Sequence, residues 1–572
     1  MMRRLAFAFL VALALVPVAR PLLRGEVFTF RDHTDYFQPL RWFTAQSLKA
    51  GHLPLWNPYS ASGEPWMANP QTAVFYPPAW LFLALPFATA YMLYLALHLA
   101  LLGCGALLLF ARRASPGAAL IGAVALMFCG PTLSLLDVQN NLTTFAWLPL
   151  VIWCAAARVH PMGSAAAIAM SFLAGEPFFA TVGALIFAVV RRRGVLDVAA
   201  QSFALAAVQL VPFLAMLRGS DRAGLSPPDL REAMPLRDWL RVAVPPHLTP
   251  FGFDPALGQH FIPIVYLGLA TCALAAVGLI FAWRRLGGWL ALLAAAIVLS
   301  TSFAAELLAH LPLTLFRYPA RLVPLGALAI VAMAVAGWDV VLRFVRFRSL
   351  AFLLAIAIAI ELVAFARPIL ATAPMRAAIP YAANVGRDAK IVRLGDPALV
   401  ALNRRAWIGG YLNLYDRRFD AWTAAPVVSR RYAELYARAI NDPSMSLLSE
   451  MSVGYLLTAH GVYRNARARP LAYAESGAPS LLAFGPSFVH AAIDVPKQSM
   501  MIVTQQRSPG WSVDIDGRRA ALEESGDFLA VKLSAGKHDV LFRYWSTSFT
   551  AGAMLTLLAL ARMLLPRSFV KR

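Results

Sequence analysis

The stretch TAYMLYLALHLALLGCGALLLFARR, residues 89 to 113, decides how this chain is read. No Asp, Glu, Lys or Arg interrupts it from Thr89 to Ala111, and Arg112 and Arg113 then follow at once. About 20 apolar residues span a bilayer, so the run reads as a membrane helix with a basic stop. The pattern recurs over 5–23, 89–111, 116–136, 144–157, 161–174, 177–190, 195–217, 261–283, 287–303, 322–342, 349–366 and 547–565, giving about twelve expected crossings. The runs 144–157, 161–174 and 177–190 are short. The stretch 78–88, flanked by Pro77, Pro78 and Pro86, reads as an interfacial helix.

Composition agrees. The chain has 572 residues, of which 59% are hydrophobic and 14% charged, with mean hydropathy +0.62; soluble domains carry about 25% charged residues. The net charge of +21 does not imply nucleic acid, because much of the basic excess sits in short clusters between apolar runs. Arg3/Arg4, Arg112/Arg113, Arg158, Arg191–Arg193, Arg284/Arg285, Arg343/Arg346/Arg348 and Arg567/Lys571/Arg572 fall on alternate loops. By the positive-inside rule that side is the cytoplasm, and both termini share it. Ala12-Leu13-Ala14 resembles a signal cleavage site, but it falls too early in its apolar run. The four cysteines, Cys104, Cys129, Cys154 and Cys272, lie in apolar runs and read as small hydrophobes.

Three exported stretches are long: 24–88, 218–260 and 367–546. The last is large enough for a domain. Within it Met500–Gln505, Trp511–Ile515, Phe528–Leu533 and His538–Trp545 read as strands, with Asp516-Gly517 as a hairpin turn and another turn at Ala535-Gly536. The expected fold is a mainly α-helical polytopic membrane protein with a C-terminal extracytoplasmic β-rich (α+β) domain, sandwich-like toward its end.

The first exported loop mixes carboxylates, amides and aromatics. Aromatic faces stack on sugar C–H surfaces, and amides and carboxylates take hydroxyls. Trp56, Asn57, Asn69, Gln71 and Tyr76 are therefore candidate substrate contacts, although an aromatic belt at the membrane interface uses the same rings. Asp32 and Asp35 share a face if helical, and either can serve as a general base within hydrogen-bond reach of its proton. A solvated or capping Asp beyond a span is the plainer alternative. With His33 the pair could hold a divalent cation, Mg or Mn. Glu176, in Ala174-Gly175-Glu176-Pro177, is a carboxylate between two short spans and so a functional candidate. Arg317 and Arg321 precede a span on the exported side, where basic residues are unexpected. They read as a clamp for a lipid-linked phosphate, or as arginines snorkelling to headgroups. No Walker loop, HExxH, GxSxG or CxxC string is present.

At these strings the chain resembles a known family. Gly51–Asn57 with Pro58-Tyr59, Ala68-Asn69-Pro70-Gln71 and Phe75-Tyr76-Pro77 resemble the first loop of YfhO-type bacterial membrane proteins. Pro509-Gly510-Trp511, Asp516-Gly517, Ala530-Val531, Ala535-Gly536-Lys537-His538, Phe542-Arg543-Tyr544 and Ser548-Phe549 resemble their tail, and Phe316–Arg321 also matches. That family is similar to GT-C glycosyltransferases, which pass a sugar from a polyprenyl-phosphate carrier to an acceptor outside the cytoplasm. The resemblance implies a GT-C-like transmembrane domain over 1–366 with loop 24–88, an extracytoplasmic domain over 367–546, and a final helix with a cytoplasmic tail over 547–572, in a bacterial inner membrane. It implies Asp32 as the base, with Asp35 its rival, and a cell-envelope glycan or lipid as acceptor. Family members often show His where this chain has Glu176, which leaves that residue's role open. A flippase for lipid-linked glycans and a non-catalytic envelope scaffold are the other readings. Few charges at mid-membrane weigh against the flippase.

Overall fold

The structure, a computed structural model, describes residues 2–222, 233–246, 261–301, 318–343, 350–375, 385–394, 410–458, 460–524 and 526–564. Expectations for Arg317, and for most of 218–260, lie outside the described residues. The chain divides into two compact units. One comprises Met1–His33, Pro86–Leu205 and Gly224–Met375; the other comprises Thr34–Leu85, Ala206–Ala223 and Arg376–Arg572.

The first unit is helical. Among the described residues four helices are long and apolar enough to cross a membrane: Phe87–Phe110, Pro116–Ser134, Val195–Arg218, which runs on into the second unit, and Pro319–Val341. A fifth crossing follows if Arg4–Ala14 and Val16–Arg24, bent by 49°, form one span. Shorter apolar helices cover Pro161–Leu173, Pro177–Arg191, Gly287–Ser300 and Leu350–Phe365 in this unit, and Thr547–Met563 in the other. The expected run 144–157 is divided into Gln139–Phe145 and Leu148–Ala156. Pro149, with no N–H and a fixed φ, belongs in the first turn of the second piece rather than inside one helix. The run 261–283 is helical only from Leu269, because Gly268 takes φ +92 before it.

Helix starts follow local chemistry. Ser115 Oγ accepts from Ala118 N at 3.3 Å, and Pro116 opens the helix behind it. The Asp339 carboxylate accepts from Ser115 N at 3.1 Å and 3.2 Å, tying that start to another helix. Leu269–Ala282 and Val323–Val341 approach through facing glycines. A Cβ on Gly278 would stand 2.1 Å from Met333 O, and one on Gly337 1.8 Å from Leu274 O. Only hydrogen at both positions permits the approach, the small-residue packing of membrane helices.

The second unit is β-rich. Its five-stranded antiparallel sheet runs Arg518–Ala520, Trp511–Ile515, Gly536–Tyr544, Phe488–Val495, Leu481–Gly485. A three-stranded antiparallel sheet runs Phe528–Leu533, Ser499–Gln506, Ala472–Ala474. A mixed sheet runs Lys390–Arg393, Val453–Thr458, Gly461–Arg464. The Asp516-Gly517 hairpin forms as expected, with φ of 50° and 77° at its two turn residues, as a mirror-type turn requires. The turn at Ala535-Gly536 does not close a hairpin. It carries the chain from one sheet to the other, because Phe528–Leu533 pairs with Ser499–Gln506 while Gly536–Tyr544 pairs with Trp511–Ile515 and Phe488–Val495. The expected interfacial helix at 78–88 is a 3-10 turn, Pro77–Trp80, and one α-turn, Leu81–Ala84.

Candidate functional site

In the helical unit, four loop ends meet through two ion pairs. Arg31 Nε lies 2.5 Å from Asp137 Oδ2, with both side chains nearly buried. Arg31 holds φ +42, a left-handed conformation uncommon outside glycine. It immediately precedes Asp32, which is half-buried. The strand Glu26–Phe28 pairs antiparallel with Thr372–Pro374 and fixes the approach to this turn. His33 is buried, with Nδ1 2.7 Å from the Tyr91 hydroxyl. Burial, and then the Arg31 charge, pull its pKa down to about 3, so it is a neutral neighbour. Burial pushes the Asp137 carboxyl up, and Arg31 offsets part of that shift.

The second pair is Glu176 and Arg321. Glu176 caps the helix Pro177–Arg191, Oε2 accepting from Phe179 N at 2.6 Å. Its Oε1 accepts from Arg321 Nη1 at 3.0 Å. The Arg321 guanidinium lies 5.4 Å from the ring centroids of Phe178 and Phe261 and 5.9 Å from that of Tyr318. Such stacking suits the weakly hydrated guanidinium. Tyr318 itself holds φ +54, just ahead of Pro319.

One short helix joins the two pairs. Asp137 lies two residues before Gln139–Phe145, and at its far end Thr144 Oγ1 accepts from Glu176 N at 3.1 Å. Thr143 Oγ1 also donates to Ala174 O at 2.8 Å. A seven-residue helix at 1.5 Å per residue is about 10 Å long. The two ion pairs thus flank one short helix. Asn140 and Asn141 are buried on that helix.

The loop candidates lie in the other unit. Asp35 is buried within the π-turn His33–Phe37, and its backbone oxygen accepts from Tyr411 N at 2.6 Å. Asp32 and Asp35 thus occupy unlike surroundings, as the wider turn does not align residues three apart. Trp56 is fully buried, its Nε1 donating to Gln505 Oε1 at 3.0 Å and its ring 4.7 Å from Tyr544 and 5.2 Å from Trp511. Asn57 is buried, with Nδ2 donating to Glu64 Oε1 at 3.0 Å. Asn69 caps the turn Pro70–Thr72 by accepting from Gln71 N at 3.0 Å. Gln71 Oε1 accepts from the Tyr36 hydroxyl, and Tyr76 is buried. Tyr59 and Trp66 from the same loop belong to a core with Tyr411, Leu414, Phe419 and Leu471.

Sequence reasoning passed over Asp137 and its partner Arg31. The signal was available: Asp137-Val138-Gln139-Asn140-Asn141 is a polar string between two apolar runs. Among the described residues no group of three His, Cys, Asp or Glu gathers to hold a metal ion.

No family model matches the chain, and no curated protein resembles it significantly in sequence. The YfhO-type resemblance therefore rests on the loop and tail strings and Phe316–Arg321 alone. Among solved structures the chain is similar to the arabinofuranosyltransferase AftD from mycobacteria, with TM-score 0.47 and 14% identity over 96% of this chain and 40% of AftD. A point mutant of AftD gives TM-score 0.46 and 14% identity over 96% and 42%. The chain thus spans under half of AftD, and nothing about the site's chemistry follows from so slight a likeness.

Proposed function

We propose that the chain is a membrane glycosyltransferase that moves a sugar from a polyprenyl-phosphate donor to a glycan or lipid acceptor on the non-cytoplasmic face. The observation that carries this is the short helix Gln139–Phe145. At one end it anchors the turn that presents Asp32, and at the other it anchors the partner of Arg321. In this reading a candidate acid–base group and a candidate phosphate-binding group flank the same short helix. The motif resemblance adds the reaction class, while the apolar runs and the alternating basic clusters argue for about twelve crossings, cytoplasmic termini and an extracytoplasmic place for 367–546.

In the proposed step the acceptor hydroxyl oxygen attacks the anomeric carbon. Asp32 takes the hydroxyl proton, the C–O bond to phosphate breaks, and its electron pair leaves on the lipid phosphate. Attack opposite the leaving group inverts the anomeric centre. Arg321 turns from Glu176 toward the departing phosphate, where a fixed donor is worth about 2.7–4 kcal/mol. Arg317 is its proposed companion. Asp35, buried in the other unit, is the less suited base, and Glu176 holds Arg321 between turnovers.

The test is Asp32→Asn in membranes given a labelled lipid-linked sugar. General-base loss lowers transfer on the order of 10²–10⁴-fold. Unchanged transfer rules out Asp32 as the base. Transport of intact donor with no sugar–phosphate cleavage rules out the enzyme altogether.

A further inference from the structure

Away from these ion pairs, the helical unit holds a cavity of about 650 Å³ lined by Arg20, Arg367, Leu370, Ala371 and Thr372. Arg20 lies on the helix Val16–Arg24, which turns Pro17, Val18 and Pro21 inward. Arg367 opens the 3-10 turn Arg367–Leu370, just after the apolar helix Leu350–Phe365. Both arginines are exposed, and among the described residues neither has an ion-pair or hydrogen-bond partner. The nearby Glu26 carboxylate accepts from Thr372 Oγ1 at 2.6 Å and does not line the cavity.

We propose that Arg20 and Arg367 bind the phosphate of a membrane lipid headgroup. Two like charges facing one cavity repel unless an anion lies between them, and guanidinium donors match phosphate oxygens in geometry. The surroundings point to a lipid rather than a soluble anion. The two helices that lead to the arginines expose large aliphatic side chains: Leu23 is 90% exposed, Leu353 64% and Ile360 65%. Acyl chains lie against such a surface while arginines reach the headgroup level. The site is separate from the glycosyl-transfer reading and stands without it.

The experiment titrates dioleoyl phosphatidylglycerol into the detergent-solubilised full chain and reads retained lipid by native mass spectrometry, with inorganic phosphate as a parallel probe. Arg20→Gln and Arg367→Gln each weaken retention on the order of tenfold, and the double variant weakens it further. Arg24→Gln, on the same helix but outside the cavity lining, leaves retention unchanged. Arg20→Lys/Arg367→Lys, which keeps both charges, retains most of it and shows that the surface still folds. Wild-type retention by the double Gln variant overturns the proposal. So does an equal loss in Arg24→Gln, which reports diffuse charge. Binding of inorganic phosphate that depends on these arginines, without phosphatidylglycerol binding, overturns the lipid assignment.

Discussion

Replacing Glu64 with Gln flattens the stability of the β-rich unit between about pH 4.5 and pH 7. Glu64 is buried, accepts from Asn57 Nδ2 at 3.0 Å and from Thr423 Oγ1 at 2.7 Å, and lies near Asp420. Burial above all, with the Asp420 charge adding, raises its pKa from 4.5 to about 7, against the pull of its hydrogen-bond donors. The folded form therefore holds a proton that the unfolded chain has lost across this window. Its stabilising contribution is complete below the unfolded value, falls as pH rises through the window, and is gone above the folded value. At 1.36 kcal/mol per unit, the span from 4.5 to about 7 amounts to roughly 3 kcal/mol. The assay is denaturant unfolding of the full chain in micelles, followed by the fluorescence of Trp56, Trp66 and Trp511, at several pH values. Wild type weakens by that amount over the window while Glu64→Gln holds level. Parallel pH profiles for the two proteins would refute the assignment.

Three further outcomes are expected. Lys390→Met destabilises the same unit by roughly 2–5 kcal/mol, read by the same unfolding assay. It strips the donor from three buried acceptors, Ser62 Oγ at 2.8 Å, Met451 O at 2.9 Å and Thr504 O at 2.6 Å. Asp137→Asn leaves Arg31 as a buried charge with its ion pair broken, and lowers the melting temperature more than the double change Arg31→Met/Asp137→Leu does. Both variants lose transfer if the pair positions Asp32, measured with the labelled donor. Gly337→Leu drives the helices Leu269–Ala282 and Val323–Val341 apart, since even a Cβ would lie 1.8 Å from Leu274 O. A fall in thermal stability in micelles, several times that of a lipid-facing Leu353→Ala, is the expected readout.

Hydropathy located Phe87–Phe110, Pro116–Ser134, Val195–Arg218 and Pro319–Val341 because each lies in a long run with one solvent preference, and a long run survives errors of a few residues at its ends. It could not show that 144–157 is divided, since Pro149 looks the same at a helix start as inside a broken span. The Asp516-Gly517 turn was legible because its geometry is local, whereas the sheet change at Ala535-Gly536 depends on strands distant in sequence. The loop aromatics show the deeper limit. Trp56 stacked on a sugar and Trp56 packed on Tyr544 have the same composition, and only tertiary contacts separate them. Asp137 escaped notice because it closes an apolar run, where a carboxylate reads as the water-facing end of a helix. Its partner lies 106 positions away, beyond any local pattern.

The short helix Gln139–Phe145 has one more consequence. One ion pair is tied near each end, so in the proposed reaction the length of this helix would set how long a donor head must be to reach from one pair to the other. Inserting one alanine after Leu142 would lengthen it by about 1.5 Å and rotate one end against the other by about 100°. If the proposed transfer holds, selectivity for donor length would then shift even though every side chain named in the site remained present.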